Sequence, residues 1–132
     1  MRLLLDTHIA YWLAVERPAL TGHELTALTA IENEVLVSAV AIWELRLKWN
    51  SFHVSGARKG PGDPTPVLGA LNRMGLEAMS LDAQTAATPL LVPITHKDPF
   101  DELLLIQAQQ SGARLLTRDR SLLGHPLAYQ PQ

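Results

Sequence analysis

Two acidic residues stand at points where an apolar run ends. Asp6 follows the apolar residues 3–5, and Asp119 follows a second apolar run that ends at Leu116 and Thr117. In open α/β sheets, binding sites form beyond the carboxyl ends of the strands. Neighbouring strands would bring both carboxylates into one crevice. Taken singly, either aspartate is equally well explained as a helix cap or a turn residue.

Glu44 interrupts a strongly apolar segment. Residues 39–43 contain no polar side chain, and Leu45 and Leu47 follow. Burying an unpaired carboxylate there costs free energy, and a metal ion would offset that cost. The alternative is a thin exposed stripe in which Glu44 pairs with Lys48 at the favourable i, i+4 spacing. We favour the metal-binding interpretation.

Asp98 and Asp101 lie at a predicted helix start, with Pro99 as the first helical residue. Residues three apart share one helix face. The helix dipole favours negative charge at this end, so a structural role is open to both. We predict that Asp98 caps the helix and that Asp101 faces the site.

Four carboxylates without any cysteine or paired-histidine motif favour a hard cation. Mg²⁺ and Mn²⁺ prefer carboxylate and water oxygens, and such an ion can act on a phosphate. The neighbouring residues His96, Lys97, Arg118 and Arg120 are placed to meet a phosphate backbone, although simple solvent exposure also explains each of them.

Short apolar runs alternate with segments of helical spacing, which predicts an α/β fold with a mostly parallel sheet covered by helices. Strands are expected at residues 3–5, 35–37, 76–81 and 113–117, and helices directly after Asp6 and over 22–32, 39–49, 66–74, 83–88 and 99–111. The glycine- and proline-rich residues 50–66 predict a loop, either a surface connection or a functional flap.

Composition narrows the classes of function. A chain of 132 residues, 47% of them hydrophobic, suits one domain with a real core. The net charge of −2 argues against a protein that coats nucleic acid through bulk charge. The absence of cysteine excludes disulfides and thiolate chemistry. We find no signal peptide or apolar run of membrane-spanning length, so a cytoplasmic location is expected.

Four segments together resemble the PIN domain, specifically VapC-type toxins of bacterial toxin–antitoxin pairs. They are Leu4-Leu5-Asp6-Thr7-His8, Ser38-Ala39-Val40-Ala41-Ile42-Trp43-Glu44, His96-Lys97-Asp98-Pro99-Phe100-Asp101 and Leu115-Leu116-Thr117-Arg118-Asp119. The third is the most specific. The resemblance covers nearly the whole chain and implies a single Rossmann-like domain over residues 1–132.

The resemblance further implies an Mg²⁺- or Mn²⁺-dependent endoribonuclease that forms a homodimer and is neutralised by a small antitoxin. The four acidic positions of the family match Asp6, Glu44, Asp101 and Asp119, which become the expected metal-binding and catalytic residues. The residues expected to meet RNA are Thr7, His96, Lys97, Thr117, Arg118 and Arg120. One departure is Glu102, which stands where the family usually has arginine.

Other acid-dependent folds fit less well. A phosphoacceptor receiver domain needs an acidic pair after strand one, and Asp6 stands alone. A haloacid-dehalogenase-type phosphatase needs an aspartate two residues after the first, where His8 stands. The remaining alternative is a catalytically silent PIN-fold module that binds RNA or a protein, but such a module would be marked by loss of an acidic position.

Overall fold

A computed structural model describes residues 1–131 and shows an α/β fold with a four-stranded, all-parallel sheet. The strands are β1 (Arg2–Leu5), β2 (Glu34–Ser38), β3 (Ala78–Met79) and β4 (Ala113–Leu116). The helices are α1 (Thr7–Val15), α2 (Gly22–Thr29), α3 (Ala39–Trp49), α4 (Val67–Arg73), α5 (Ala83–Ala87) and α6 (Pro99–Ser111), with a short 3₁₀ turn at Arg17–Ala19. The predicted fold class is confirmed.

The sheet has the order β3-β2-β1-β4, so the chain steps outward from β1 on one side and places its last strand on the other. Register is continuous along β1, where Leu4 lies opposite both Leu36 and Leu115. Strands are thus added on opposite sides of β1, and α/β sheets form their binding sites at such a change in strand order.

Helices cover both faces of the sheet because successive strand side chains point to opposite faces. Leu5 and Leu116 pack in one buried cluster with residues of α1 and α4. Their neighbours Leu4 and Leu115 pack in a second cluster with α6. The consecutive leucines at residues 3–5 of β1 and 115–116 of β4 follow from this burial on two sides, whereas Arg2 and Arg114 are exposed.

Most predicted boundaries agree with the structure to within one or two residues. Three differ: α2 ends at Thr29 rather than near 32, β3 has only the two residues Ala78–Met79, and residues 50–66 contain local order. Within residues 1–131, no helix combines the length and apolar character needed to span a membrane.

Candidate functional site

A cleft of about 260 Å³ lies beyond the carboxyl ends of β1 and β4. All four predicted carboxylates line it. The lining residues are Asp6, Thr7, His8, Ile9, Trp12, Glu44, Lys48, Asp98, Asp101, Arg118 and Asp119. The fold therefore gathers acids that are widely separated in sequence into one place.

Asp6 links the first strand to the first helix. Its Oδ1 accepts a hydrogen bond from the Thr7 N–H at 2.8 Å, which makes it the N-cap of α1. Its Oδ2 accepts a bond from the Thr117 hydroxyl at 2.5 Å. Burial raises the pKa of Asp6, and the nearby charge of Glu44 adds to this, although the bonds from Thr117 and Thr7 oppose it. The aspartate is both a cap, as its alternative explanation held, and a wall of the cleft.

Glu44 is buried, with only 4% of its surface exposed. One carboxylate oxygen, Oε1, accepts a bond from the Thr7 hydroxyl at 2.5 Å, and Oε2 lies 2.7 Å from Nζ of Lys48. The predicted burial is present, and so is the i, i+4 contact with Lys48 that the alternative explanation supposed. Thr7 and Lys48 therefore hold the buried carboxylate of Glu44 in place at the cleft.

The two aspartates at the start of α6 divide their roles as predicted in structural terms. Asp98 Oδ1 accepts bonds from the N–H groups of Phe100 at 2.9 Å and Asp101 at 3.3 Å, so Asp98 is the N-cap. Asp101 is buried, and its Oδ2 lies 2.8 Å from Nε2 of His96.

Asp101 has the most perturbed acidity in the cleft. Burial, followed by the negative charges of Asp98, Asp6 and Asp119, raises its pKa to about 6, against the opposing effect of the His96 contact. A cation placed near a carboxyl group with a raised pKa stabilises its ionised form. Clustered acids with perturbed pKa values in a cleft are typical of functional sites.

Asp119 is the exposed member of the set. Its Oδ1 accepts bonds from the Ser121 N–H at 2.9 Å and the Ser121 hydroxyl at 2.7 Å, as in a turn former. Its own N–H donates to the Thr117 hydroxyl oxygen at 3.0 Å. Thr117 thus contacts both Asp6 and Asp119 and ties the ends of β1 and β4 together.

The predicted RNA-contacting residues are placed in different ways. Thr7 is buried and lines the cleft, where its hydroxyl donates to Glu44, whereas Lys97 and Arg120 are exposed and do not line the cleft. Arg118 lines the cleft, but its guanidinium group pairs with Glu24, with Nε 2.9 Å from Oε2. It also lies 4.2 Å from the ring centre of Trp12.

Sequence reasoning missed the pairing of Glu24 with Arg118. Thr21 and Glu24 form a capping box at the start of α2, and both of its bonds are present. A capping box explains the residue locally, and no local pattern reveals a partner 94 positions away. Lys48 was noticed only as a surface partner of Glu44, whereas it reaches into the cleft.

The donor chemistry of the cleft fits a hard cation, but the carboxylates are engaged by the protein's own donors. Across residues 1–131, no three carboxylate or imidazole side chains stand in an arrangement ready to hold a metal ion. Lys48 and His96 instead lie against Glu44 and Asp101. An ion would therefore have to replace these contacts. Burial raises the pKa of Asp6 and Asp101, and a cation beside them would stabilise their ionised forms.

Comparison with known proteins places these features in a family. The sequence matches the PIN domain model over residues 3–124. It is also 31% identical over 128 residues to Ribonuclease VapC22 of Mycobacterium tuberculosis, a match that covers 93% of this chain and 91% of that protein. Since the family model spans most of the chain, this protein belongs to the PIN domain family.

Proposed function

We propose that this chain is a metal-dependent endoribonuclease that hydrolyses phosphodiester bonds in RNA. The observation that carries the proposal is the gathering of Asp6, Glu44, Asp101 and Asp119 around one cleft at the switch point of the sheet. The similarity to a protein named as a ribonuclease supports the choice of RNA as substrate.

The proposed cofactor is Mg²⁺ or Mn²⁺, held by Asp6, Glu44, Asp101 and Asp119. When bound, such an ion activates water and neutralises charge on the phosphate. The protein's contribution is to fix the oxygen donors beforehand. The hydroxyl groups of Thr7 and Thr117 orient Glu44 and Asp6, and partners of this kind typically tune a metal site.

The basic residues divide into two groups in this proposal. Lys48 and His96 contact the carboxylates, so they balance the negative charge of the cleft. Lys97 and Arg120 are exposed nearby in sequence and are the candidates for contacts with RNA phosphates. Arg118 is occupied by Glu24, and we assign it to holding the segment that carries Asp119.

The biological role that we propose is that of a toxin neutralised by a small antitoxin protein in the cytoplasm. A crevice lined by carboxylates suits an arginine from a partner, because a guanidinium group donates two parallel hydrogen bonds to one carboxylate. We also propose a homodimer, for which the half-exposed Trp43 is a candidate interface residue.

Cleavage of a single-stranded RNA with Mn²⁺ and with excess chelator tests this function. We expect cutting with the metal and none with the chelator, and we expect Asp101→Asn to be inactive. Glu102→Gln is the matched control, since Glu102 is an exposed acid in the same helical turn. Undiminished cutting in chelator would refute metal dependence. Binding of RNA without any cutting would favour the silent binding module.

A further inference from the structure

Residues 51–60, here called the basic hairpin, form an ordered structure between α3 and α4. Phe52 and Arg58 pair as an antiparallel bridge. The His53 N–H donates to the Ala57 carbonyl at 2.8 Å, and the Lys59 N–H donates to the Ser51 carbonyl at 2.9 Å. Gly56 makes the turn possible through its φ of +90°, a left-handed conformation that favours glycine. Part of the segment predicted as a loop, residues 51–60, therefore forms a small hairpin closed by one bridge.

The hairpin lies in the most basic stretch of the sequence. Between Glu44 and Asp63 there is no acidic residue, whereas Arg46, Lys48, Arg58 and Lys59 supply positive charge. This contrasts with the net charge of −2 for the whole chain. A local basic surface on an acidic protein gives a polyanion one preferred place to bind.

Aromatic rings accompany these charges. The Arg58 guanidinium carbon lies 4.3 Å from the ring centre of Trp49 and 4.8 Å from that of Phe52. Arg58 also donates to the Trp49 carbonyl, which fixes its position. Phe52 nevertheless remains 55% exposed, and Lys59, the residue after Arg58, is exposed as well. Exposed aromatic rings among cations are typical of surfaces that bind single-stranded nucleic acid by base stacking.

The base of the hairpin packs against the wall of the acidic cleft. A Cβ atom on Gly60 would lie 3.1 Å from Cβ of Lys48, so the backbones there approach closely. The ammonium group of Lys48 in turn contacts Glu44 inside the cleft. Lys48 thus contacts both the acidic cleft and the base of the hairpin.

We propose that the basic hairpin is an RNA-binding surface that holds single-stranded RNA beside the cleft. A base stacks on the exposed ring of Phe52, and Lys59 contacts a phosphate. The inference rests on the proposed ribonuclease function and adds a location for substrate outside the acidic residues. The carboxylates themselves repel phosphate, so binding strength has to come from a neighbouring basic surface.

Fluorescence anisotropy with a labelled single-stranded RNA in excess chelator measures binding without cutting. We expect Lys59→Gln to weaken binding and to reduce the slope of log K against log salt concentration by about 0.7, the value for one phosphate contact on a single strand. Phe52→Leu keeps an apolar side chain but removes the ring, and we expect it to weaken binding about fivefold or more.

Arg73→Gln is the matched control. It makes the same change of charge at an exposed position, and Arg73 ends α4 just before β3, at the amino ends of the strands and away from the cleft. Its affinity and salt slope should equal those of the wild type. Circular dichroism should show that all three variants retain the fold.

The outcomes separate this inference from the function on which it rests. With Mn²⁺, Lys59→Gln should raise KM on a long RNA and leave kcat unchanged. If the wild type cuts RNA and both hairpin variants bind and cut as well as it does, the inference is wrong and the function stands. If the hairpin variants lose only the binding of a protein partner, the surface serves that partner and the inference is again wrong. A wild type that neither cuts nor binds RNA refutes both proposals.

Discussion

Glu24 and Glu44 are two buried glutamates built from similar parts but used differently. Each contacts a threonine, and each pairs with one basic side chain: Glu24 with Arg118, and Glu44 with Lys48. Both are less than one-tenth exposed. The difference between the two regions lies in the basic partner.

In the Glu24 region, Arg118 occupies both carboxylate oxygens. Arg118 donates to both carboxylate oxygens of Glu24, donates to the Ala19 carbonyl at 3.0 Å, and stacks on Trp12. Burial alone would raise the pKa of Glu24, but the bonds from Arg118 and Thr21 outweigh it, so the pKa is lowered. Planar, bidentate pairing of this kind is specific to arginine and makes the pair a structural element.

Glu44 is held less firmly by its basic partner than Glu24 is. Lys48 makes one contact with Glu44, and a third of its side chain is exposed. Burial lowers the pKa of Lys48, but Glu44, with help from Asp98 and Asp101, raises it overall. A flexible ammonium group among several carboxylates balances charge without filling a fixed geometry. The comparison indicates that Arg118 holds Glu24 in a fixed pair, whereas Lys48 leaves the carboxylate of Glu44 able to bind a different cation.

The largest expected effect separates the two glutamates by activity. Glu44→Gln should lower the rate of RNA cleavage about 100-fold or more, because it removes one of the four carboxylates proposed to hold the metal ion. Glu24→Gln should retain nearly the wild-type rate at a temperature where it is folded. The measurement is kcat for both variants after circular dichroism has confirmed their fold. Equal loss in both would abolish the distinction.

The next effect concerns stability. Arg118→Ala leaves Glu24 buried without its partner and should lower the free energy of unfolding by about 2 kcal/mol, a value reduced from that of fully buried pairs because Arg118 is partly exposed. Arg118→Lys should recover only part of this loss, since it restores charge but not the two parallel bonds. Urea denaturation measures both. A full recovery by lysine would contradict the role given to bidentate pairing.

A smaller effect tests whether Lys48 competes with metal. Lys48→Met removes the cation that contacts Glu44 and should tighten Mn²⁺ binding about fivefold, equivalent to about 1 kcal/mol. Calorimetric titration of Mn²⁺ measures this without any assay of activity. Lys48→Arg keeps the charge and should show no gain. Weaker binding in the methionine variant would show instead that Lys48 helps to form the site.

The smallest expected effect is a dependence of stability on pH. Because the pKa of Glu24 in the folded state lies below its ordinary value of 4.5, the unfolded chain binds more protons between these two values. The stabilisation by this ion pair is therefore complete above about pH 5 and is lost as the pH falls through the folded-state pKa. The difference in unfolding free energy between wild type and Glu24→Gln should shrink as the pH is lowered from about 5 through the folded-state pKa of Glu24. A constant difference would show that the charge of Glu24 contributes nothing.

Local rules predicted the elements that carry their own boundary residues. Asp98 was expected as an N-cap, and it accepts the backbone bond that this role requires, as do Ser38 and Asp82 at the starts of α3 and α5. The expected end of α6 at residue 111 is followed by Gly112, which ends the helix with a φ of +67°. Residues 76–81 gave no such boundary, and only two of them pair with β2.

The candidate site was predictable in its acids and not in its cations. Burying a carboxylate is unfavourable in free energy, so Glu44 within an apolar helix stands out in the sequence alone. Lysine and arginine are common on surfaces, and nothing local distinguishes Lys48 or Arg118 from other exposed basic residues. Their roles depend on partners brought close by the sheet, and the order of its strands determines those partners.

The pairing of β1 with β4 has a consequence for the time at which the site comes into existence. Thr117 bonds to Asp6 across 111 positions of sequence, so the cleft is incomplete while the chain is still short of that residue. Proteins are synthesised from the amino terminus at about 5–20 residues per second, and the early elements begin to organise first. If the chain cuts RNA as proposed, the growing chain would lack a complete cleft until β4 has been made and has docked beside β1.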